Sequence, residues 1–229
     1  MSKMTFKSAV LPDVGIPVHE QVYRQLRERI LFGGFLPGKA VTLRGLADEL
    51  GVSAMPVREA VRRLIAENAL ELHGNRRVSI PDVCIDIVDE IWSARRLLEV
   101  ELASKALAHL KEEDIQVLQD IDDQIDVALE TGDVEGYMRG NYEFHFYLYS
   151  KSHSEILIKL VKNLWVQFGP FMRLVYGRSG TANLEDQHKQ ALEALKSRDQ
   201  NALNDALEAD IAQGMGFIRE SLSLAGKAR

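Results

Sequence analysis

The sequence predicts a mainly α-helical protein with two domains, and three observations lead to this expectation. The 229 residues are 46% hydrophobic with only 6 prolines, a globular composition with enough apolar side chains for a core. Apolar residues recur at helical spacing along most of the chain, and only two short β-prone segments interrupt them. The charge balance changes after these segments. We therefore expect an N-terminal extension at 1–16, a small domain at 17–81 and an all-helical domain at 82–229.

Charge is distributed unevenly between the two expected domains. Residues 17–80 carry ten basic and seven acidic side chains, whereas residues 81–229 carry 16 basic and 26 acidic side chains. The overall charge of −6 would argue against a polyanionic partner if it were uniform. A basic module attached to an acidic body leaves such a partner open, because only the contacting face must attract phosphate. Two ordinarily solvated surfaces explain the same charges equally well.

Composition also indicates a compartment. The single cysteine, Cys84, has no internal partner for a disulfide, which is typical of a reducing cytoplasm. No apolar run approaches the roughly 20 residues that cross a bilayer. The first 14 residues lack the apolar core of a secretion signal. We expect a cytoplasmic protein.

The small domain is predicted to begin with three helices. Apolar residues four apart indicate a first helix at 18–32, and a second is expected at 42–50. Gly51 ends the second helix, and Ser53 is a suitable N-cap for a third, whose inward face runs from Val57 to Ile65.

A β-hairpin is expected to close the small domain. The β-prone segments 70–73 and 77–80 lie on either side of Gly74-Asn75. Glycine at the first central position suits a tight hairpin turn. Pro81 then ends the domain.

The remainder is predicted to form a bundle of six helices, since apolar stripes continue without strands. Gly214 and Gly216 each weaken the last helix by about 1 kcal/mol relative to alanine, so we expect it to bend or fray there. The expected helices are at about 84–110, 112–130, 133–151, 154–176, 184–197 and 199–223.

Two short helices joined by a tight turn and followed by a hairpin have the plan of a winged helix-turn-helix. The second helix of such a pair fits the major groove of B-DNA, and its free N-terminal N–H groups favour phosphate oxygens. Arg76-Arg77 on the hairpin flank the same surface. Solvated charges, or a module that docks another protein, remain the alternatives. The candidate DNA-contacting residues are Arg44, Ala54, Met55, Arg58, Arg62 and Gly74.

The stretch LPGKAVTLRGLADELGVSAMPVREAVRRL, residues 36–64, resembles the DNA-binding domain of the GntR family of bacterial transcription regulators. The resemblance implies that Arg44 and Arg58 contact operator DNA and that Gly74 lies at the wing tip near the minor groove. Ala54 occupies a position where many members have a base-reading arginine. The operator is therefore expected to differ from theirs.

Four residues of the helical domain could together hold a metal ion. Asn141 and His145 lie one turn apart on the third helix of this domain, His188 lies on the fifth and Asp210 on the sixth. Two imidazoles, a carboxylate and an amide oxygen suit a borderline divalent cation such as Zn²⁺, Ni²⁺ or Mn²⁺. Spacing alone does not show that they converge, and an isolated histidine is more often structural.

Residues 87–222 resemble the FCD ligand-binding domain of the FadR subfamily, and six helices fit its VanR-like branch. The relevant stretches are NYEFH at 141–145 and HKQALEALKSRD at 188–199. In many FCD proteins an aspartate and three histidines bind a metal beneath a small carboxylate effector. Here Asn141 replaces the aspartate and Asp210 replaces the last histidine. The carboxylate has changed position, and the number of donors is preserved.

Two arginines are candidates for binding the effector carboxylate. Arg95, in ARRLLE at 94–99, matches an FCD arginine that often faces the cavity, and Arg173 lies on the fourth helix of the domain. A buried arginine needs an anionic partner, which an organic acid supplies through paired hydrogen bonds. An internal salt bridge from Arg95 to Glu99 or Glu101 is the alternative.

We therefore expect a homodimeric transcription regulator rather than an enzyme. It would bind double-stranded operator DNA, because paired heads match near-palindromic sites, and a small carboxylate would control that binding. A metal-dependent helical-bundle enzyme is the main alternative, since Glu185-x-x-His188 matches one element of a di-metal site. No second copy of that element is present in the helical domain.

Overall fold

The computed structural model describes residues 15–74, 77–179 and 187–227, with the backbone alone at 174, 177–179 and 225–227. The chain divides into two compact units, Met1–Asp82 and Val83–Arg229. Within the described part, helices account for most residues, which confirms the predicted mainly α fold class.

The N-terminal unit contains three helices and a small antiparallel sheet of order β1-β3-β2. Val78 in the central strand pairs with Val41 on one side and with Leu72 on the other. The strand β1 was not predicted, because two residues are too short to show alternation. The elements are α1 (Val18–Leu31), β1 (Val41–Thr42), α2 (Leu43–Leu50), α3 (Ala54–Ala66), β2 (Glu71–His73) and β3 (Arg77–Ser79).

The turn between α2 and α3 follows the sequence prediction except in its capping. Gly51 ends α2 in the left-handed conformation, with φ of 67°. Ser53 occupies the N-cap position of α3, but its side chain makes no capping hydrogen bond. Pro56, the third residue of the helix, has no N–H, so one of the two donors that an N-cap side chain uses is absent, and Ser53 does not accept from the other, Met55 N–H. Thr42 supplies the capping bond that was not predicted, since its Oγ1 accepts from Gly45 N at 3.0 Å in α2.

The hairpin connection is longer than predicted. His73 pairs with Arg77, so residues 74–76 join the strands and the turn is not a two-residue one. Gly74 has no positive φ. Asn75 and Arg76 lie outside the described residues.

The C-terminal unit is helical throughout its described part. Its helices are α4 (Ile85–Leu107), α5 (Glu112–Thr131), α6 (Val134–Ser150), α7 (Glu155–Ser179), α8 (Gln187–Ser197) and α9 (Gln200–Lys227). The predicted start of α8 at 184–186 lies outside the described residues. No helix in the described ranges is both long and apolar enough to span a bilayer.

Two helices of the bundle continue through residues that favour breaks. Pro170 lies inside α7, and α9 runs past Gly214 and Gly216 without interruption, contrary to the expected fraying. Gly214 allows close packing instead, because a Cβ there would lie 3.2 Å from Met172 Cε on α7. Tertiary packing thus outweighs the low helix propensity of glycine at this position.

The core of the bundle contains charged groups as well as apolar side chains. Phe144, Leu148 and Ile211 are fully buried. Buried charged or titratable residues are rare in protein cores unless they are paired, so their partners indicate what the site can do. In this unit they are Arg95, Glu99, Asp122, His145 and His188.

Candidate functional site

The exposed face of α2 and α3 carries the residues predicted to contact DNA. The opposite face of α3 is buried through Val57, Ala60, Val61 and Leu64, which fixes the helix against the unit. The predicted residues on these two helices are all exposed, and they are Arg44, Ala54, Met55, Arg58 and Arg62.

Ion pairing separates these arginines into two groups. Arg62 is paired with Glu59 at 3.1 Å, and Arg63 is paired with Glu20 at 2.7 Å. The side chains of Arg44 and Arg58 have no ion pair or hydrogen bond with any described residue. A free guanidinium on an exposed helix start is available to phosphate or a guanine edge.

The wing adds a smaller set of groups. Gly74 is exposed and lines a recess together with His73 and Arg77. Arg77 Nη2 donates to Ala40 O at 3.2 Å, which ties β3 to the loop before β1.

Three of the four predicted metal ligands converge in the bundle. His145 on α6, His188 on α8 and Asp210 on α9 each offer a ligand atom, and these atoms lie within 4.8 Å of one another. His145 Nε2 lies 3.1 Å from Asp210 Oδ2, and His188 Nε2 lies 3.9 Å from Asp210 Oδ1. Both histidines are buried. We refer to these three residues as the histidine cluster.

Asn141, the fourth predicted ligand, lies one turn before His145 on α6. Its Nδ2 donates to Tyr137 OH at 3.4 Å. Its Oδ1 is buried and has no hydrogen-bond partner among the described residues. An amide oxygen without a donor is an acceptor available to a cation or a ligand N–H.

Asp122 is a residue that the sequence reasoning missed. This carboxylate on α5 is fully buried, and its Oδ1 lies 3.3 Å from His188 Nδ1. A carboxylate beside a metal-binding imidazole orients the ring and raises its basicity. The available signal was an acidic residue interrupting the apolar stripe of Leu118, Ile121 and Ile125 on α5.

A buried network fixes the orientation of His145. Glu99 is fully buried, and it accepts hydrogen bonds from Arg95 Nε at 2.6 Å and from Tyr149 OH at 2.8 Å. Trp165 Nε1 donates to the same carboxylate at 3.2 Å. Because the single Tyr149 proton points to Glu99, the Tyr149 oxygen accepts from His145 Nδ1 at 3.0 Å. In the neutral imidazole this places the lone pair of His145 on Nε2, the nitrogen that lies 3.1 Å from Asp210 Oδ2.

His188 lies between two carboxylates. Its Nδ1 is 3.3 Å from Asp122 Oδ1 and its Nε2 is 3.9 Å from Asp210 Oδ1. Burial raises the pKa of Asp210, but the charge of protonated His145, its hydrogen bond, and the charges of protonated His188 and of Arg95 outweigh burial and lower that pKa to about 2, so the carboxylate is ionised. When a cation replaces the imidazole protons, two ring nitrogens and an ionised carboxylate form the donor set of a divalent cation site.

The two predicted effector arginines differ in their surroundings. Arg95 is buried, paired with Glu99 and placed over the rings of Phe168 and Trp165 at 4.2 and 4.9 Å. The internal salt bridge, one of the two alternatives for this residue, is thus the arrangement present. Arg173 Nη1 is buried and has no hydrogen-bond partner in the described part of the chain, so it is the arginine with a donor still to be satisfied.

Comparisons with known proteins match both units. Residues 18–80 match the family model described as bacterial regulatory proteins, gntR family, and residues 90–213 match the FCD domain. The chain is 30% identical to the HTH-type transcriptional regulator McbR of Escherichia coli strain K12 over 86% of this chain and 91% of that protein. It is 28% identical to the uncharacterized HTH-type transcriptional regulator YdhC of Bacillus subtilis strain 168, over 83% and 86% of the two chains. The solved structure of E. coli McbR/YncC superimposes with a TM-score of 0.85 at 29% identity, covering 90% of this chain and 99% of that chain.

Proposed function

Since the chain belongs to the GntR family of bacterial regulatory proteins and carries an FCD domain, we propose that it is a transcription regulator whose operator binding is controlled by a small organic acid in the FCD domain. The observation that supports the DNA-binding part most directly is the pair of exposed, unpartnered arginines, Arg44 and Arg58, on the helix-turn-helix.

Salt dependence tests this part of the proposal. A duplex recovered from a random library by the full-length protein is titrated at stepwise increasing salt concentrations. Because bound arginines displace counterions from phosphates, the logarithm of the affinity falls linearly with the logarithm of the salt concentration. An affinity that does not change with salt would contradict phosphate contact.

We infer that the histidine cluster holds a divalent cation. The two Nε2 lone pairs and the Asp210 carboxylate supply three donors, and Asn141 Oδ1 is the candidate fourth. Mixed nitrogen and oxygen donors suit Zn²⁺, Ni²⁺ or Mn²⁺. When bound, such an ion would supply a Lewis acid that attracts a carboxylate oxygen. Elemental analysis of the purified protein tests this directly, with one metal per chain as the expected result.

The proposed effector is an anion of the carboxylate class. Arg173 supports this choice because one of its N–H groups is buried without an acceptor, and a small organic acid would provide one. Binding changes operator affinity only if the acid prefers one arrangement of the DNA-binding heads, so control is a shift between populations. Mass spectrometry of small molecules released from the purified protein identifies the class of acid.

We also propose that the regulator is a cytoplasmic homodimer. Two heads match a near-palindromic operator, and one such head contacts few base pairs. The FCD unit leaves large apolar side chains exposed, with Leu97 on α4 at 69% and Ile156 on α7 at 75%. A dimer interface on this unit would cover such residues. Light scattering of the purified protein tests this, with twice the chain mass as the expected result.

A catalytic role finds less support. The relatives that match over most of their length are named as transcriptional regulators. Glu185, on which the di-metal alternative depended, lies outside the described residues. Among described residues, the histidine cluster is the one group of three or more side chains suited to a metal, whereas a di-metal enzyme needs ligands for two.

A further inference from the structure

Met55 stands apart from the other methionines that the structure describes. Met138, Met172 and Met215 are buried, whereas 64% of Met55 is exposed. It lies in the first turn of α3. A long, flexible apolar side chain at this exposed position is available for contact with another molecule.

The neighbours of Met55 indicate which molecule this is. Arg58 lies three residues further along α3 on the same exposed face and has no partner among the described residues. Arg44 on α2 is likewise exposed and free of partners. An apolar group on a helix that also carries a free cation is complementary to a DNA groove, where phosphates flank the base edges.

We propose that Met55 reads the C5-methyl group of a thymine in the operator major groove, beside Arg58, and thereby determines operator specificity. This inference rests on the proposed contact of α3 with DNA. The thymine methyl is the apolar group that base edges present in the major groove. A methionine thioether has neither a strong donor nor a strong acceptor, and it is flexible enough to cover a methyl group.

Ala54 contributes to this reading by its small size. It is exposed in the same first turn, and its side chain ends at the Cβ atom. A short residue beside Met55 lets the start of α3 approach the base edges closely, which an apolar contact requires because dispersion attraction acts only at about 4 Å.

A recess next to Met55 raises the competing possibility of a protein partner. Met55 borders an apolar depression of about 540 Å³ together with Val18, Val52 and Pro56. The free arginines Arg44 and Arg58 on the same two helices favour DNA over an apolar peptide. A Met55→Ala variant that loses binding of a protein and keeps its DNA selectivity would indicate a protein partner.

The experiment removes one methyl group at a time from the DNA. The full-length wild-type protein selects a duplex from a random library, and each thymine of that duplex is replaced singly by deoxyuridine, which lacks the C5-methyl. We expect the replacement at one thymine per half-site to weaken binding about fourfold, the value of one buried methylene group. Met55→Ala is expected to bind the selected duplex and this deoxyuridine duplex with equal affinity. Met55 is exposed, so the variant should fold, and its circular dichroism spectrum checks this.

A second variant tests whether the side chain at position 55 determines which base is selected. Glutamine pairs with the adenine edge, so Met55→Gln should select adenine where the wild type selects thymine, while the bases selected at the other operator positions stay unchanged. The proposal would be overturned if Met55→Ala and Met55→Gln both still selected the thymine that the wild type selects. Equal binding of the wild type to the selected duplex and to every deoxyuridine duplex would also overturn it. Loss of only a protein partner in Met55→Ala would overturn it as well. If the wild type selects no duplex at all, the proposed DNA contact by α3 fails with it.

Discussion

The helix-turn-helix surface and the interior of the FCD bundle differ in whether their charged side chains have partners. On the surface, Arg44 and Arg58 have no partners, although acidic residues such as Glu59 lie close enough in sequence to pair with an arginine. In the interior, Arg95, Glu99, Tyr149 and His145 form an unbroken series of hydrogen bonds. Water stabilises an unpaired surface charge at little cost, whereas an unpaired charge in a core costs several kcal/mol.

The difference shows how a functional residue is recognised in each setting. On the surface, the informative residues are those that lack the ion pair their neighbours have. In the core, they are the groups at which the hydrogen-bonded series ends with an unused donor or acceptor, as at Asn141 Oδ1 and Arg173 Nη1. Substitutions of paired residues in the core and of unpaired residues on the surface test this contrast.

Glu99→Gln should produce the largest loss of stability. The substitution removes the charge that balances buried Arg95, and an unbalanced buried charge costs about 3–5 kcal/mol. Urea unfolding measures the change. Glu101→Gln is the matched control, because Glu101 is exposed and paired with Lys105, and its loss should cost less than about 1 kcal/mol. Equal effects from both variants would contradict the contrast.

Joint replacement of His145 and His188 by alanine should remove the bound metal. Two of the four proposed donors are lost, and the remaining oxygen donors favour a borderline cation much less. Metal content is measured by elemental analysis, with folding checked by circular dichroism. The exposed pair His109 and His153, whose rings lie 4.8 Å apart, provides the control, since the same double substitution there should leave the content unchanged. Metal retained at one per chain without His145 and His188 would show that the ligands are others.

Arg58→Ala should weaken operator binding about 5- to 150-fold, as expected for loss of a contact worth about 1–3 kcal/mol. Anisotropy titration of a selected duplex at fixed salt measures it. Arg24→Ala is the control, because Arg24 is equally exposed on the same unit but is paired with Glu20 on α1. Arg62, which is paired with Glu59, should lie between the two. A loss at Arg24 as large as that at Arg58 would show that total charge, not an unpaired side chain, controls binding.

Asp122→Asn should weaken metal binding about tenfold without abolishing it. The change removes the carboxylate that orients His188, and loss of such an outer partner costs about 10–100-fold in affinity. Competition with a chelator measures the affinity. Asp123→Asn is the neighbouring control, because Asp123 lies on the exposed face of α5 and accepts from Gln119. An unchanged affinity in Asp122→Asn would remove this residue from the site.

Much of the fold followed from local patterns in the sequence. Helical spacing predicted the helices of both units, and the resemblance of residues 36–64 to GntR regulators is confirmed by the family match at 18–80. These local rules failed where an adjacent residue or tertiary packing altered the interaction on which the rule depends. Ser53 makes no capping hydrogen bond at a helix start where Pro56 lacks one of the two usual donor N–H groups, and α7 continues through Pro170 although proline favours a break.

The candidate site was only partly accessible to sequence reasoning. Residue type and helix position nominated His145, His188 and Asp210, the family resemblance supported them, and their roles as ligands stay predictions. Asp122 could not be paired with His188, because 66 positions separate them and only the packing of α5 against α8 brings them together. The partner of Arg95 was among the alternatives because Glu99 lies one turn away on the same helix, where spacing does constrain distance.

The packing at Gly214 has a consequence for how the FCD domain could evolve. Gly214 lies one helical turn after Asp210, and a Cβ atom there would lie 3.2 Å from Met172 Cε on α7. Because that atom is the end of a flexible side chain, alanine at this position would be accommodated by a shift of the Met172 thioether and not of α9. The packing of α7 against α9 can therefore change at this position while every residue of the histidine cluster stays the same.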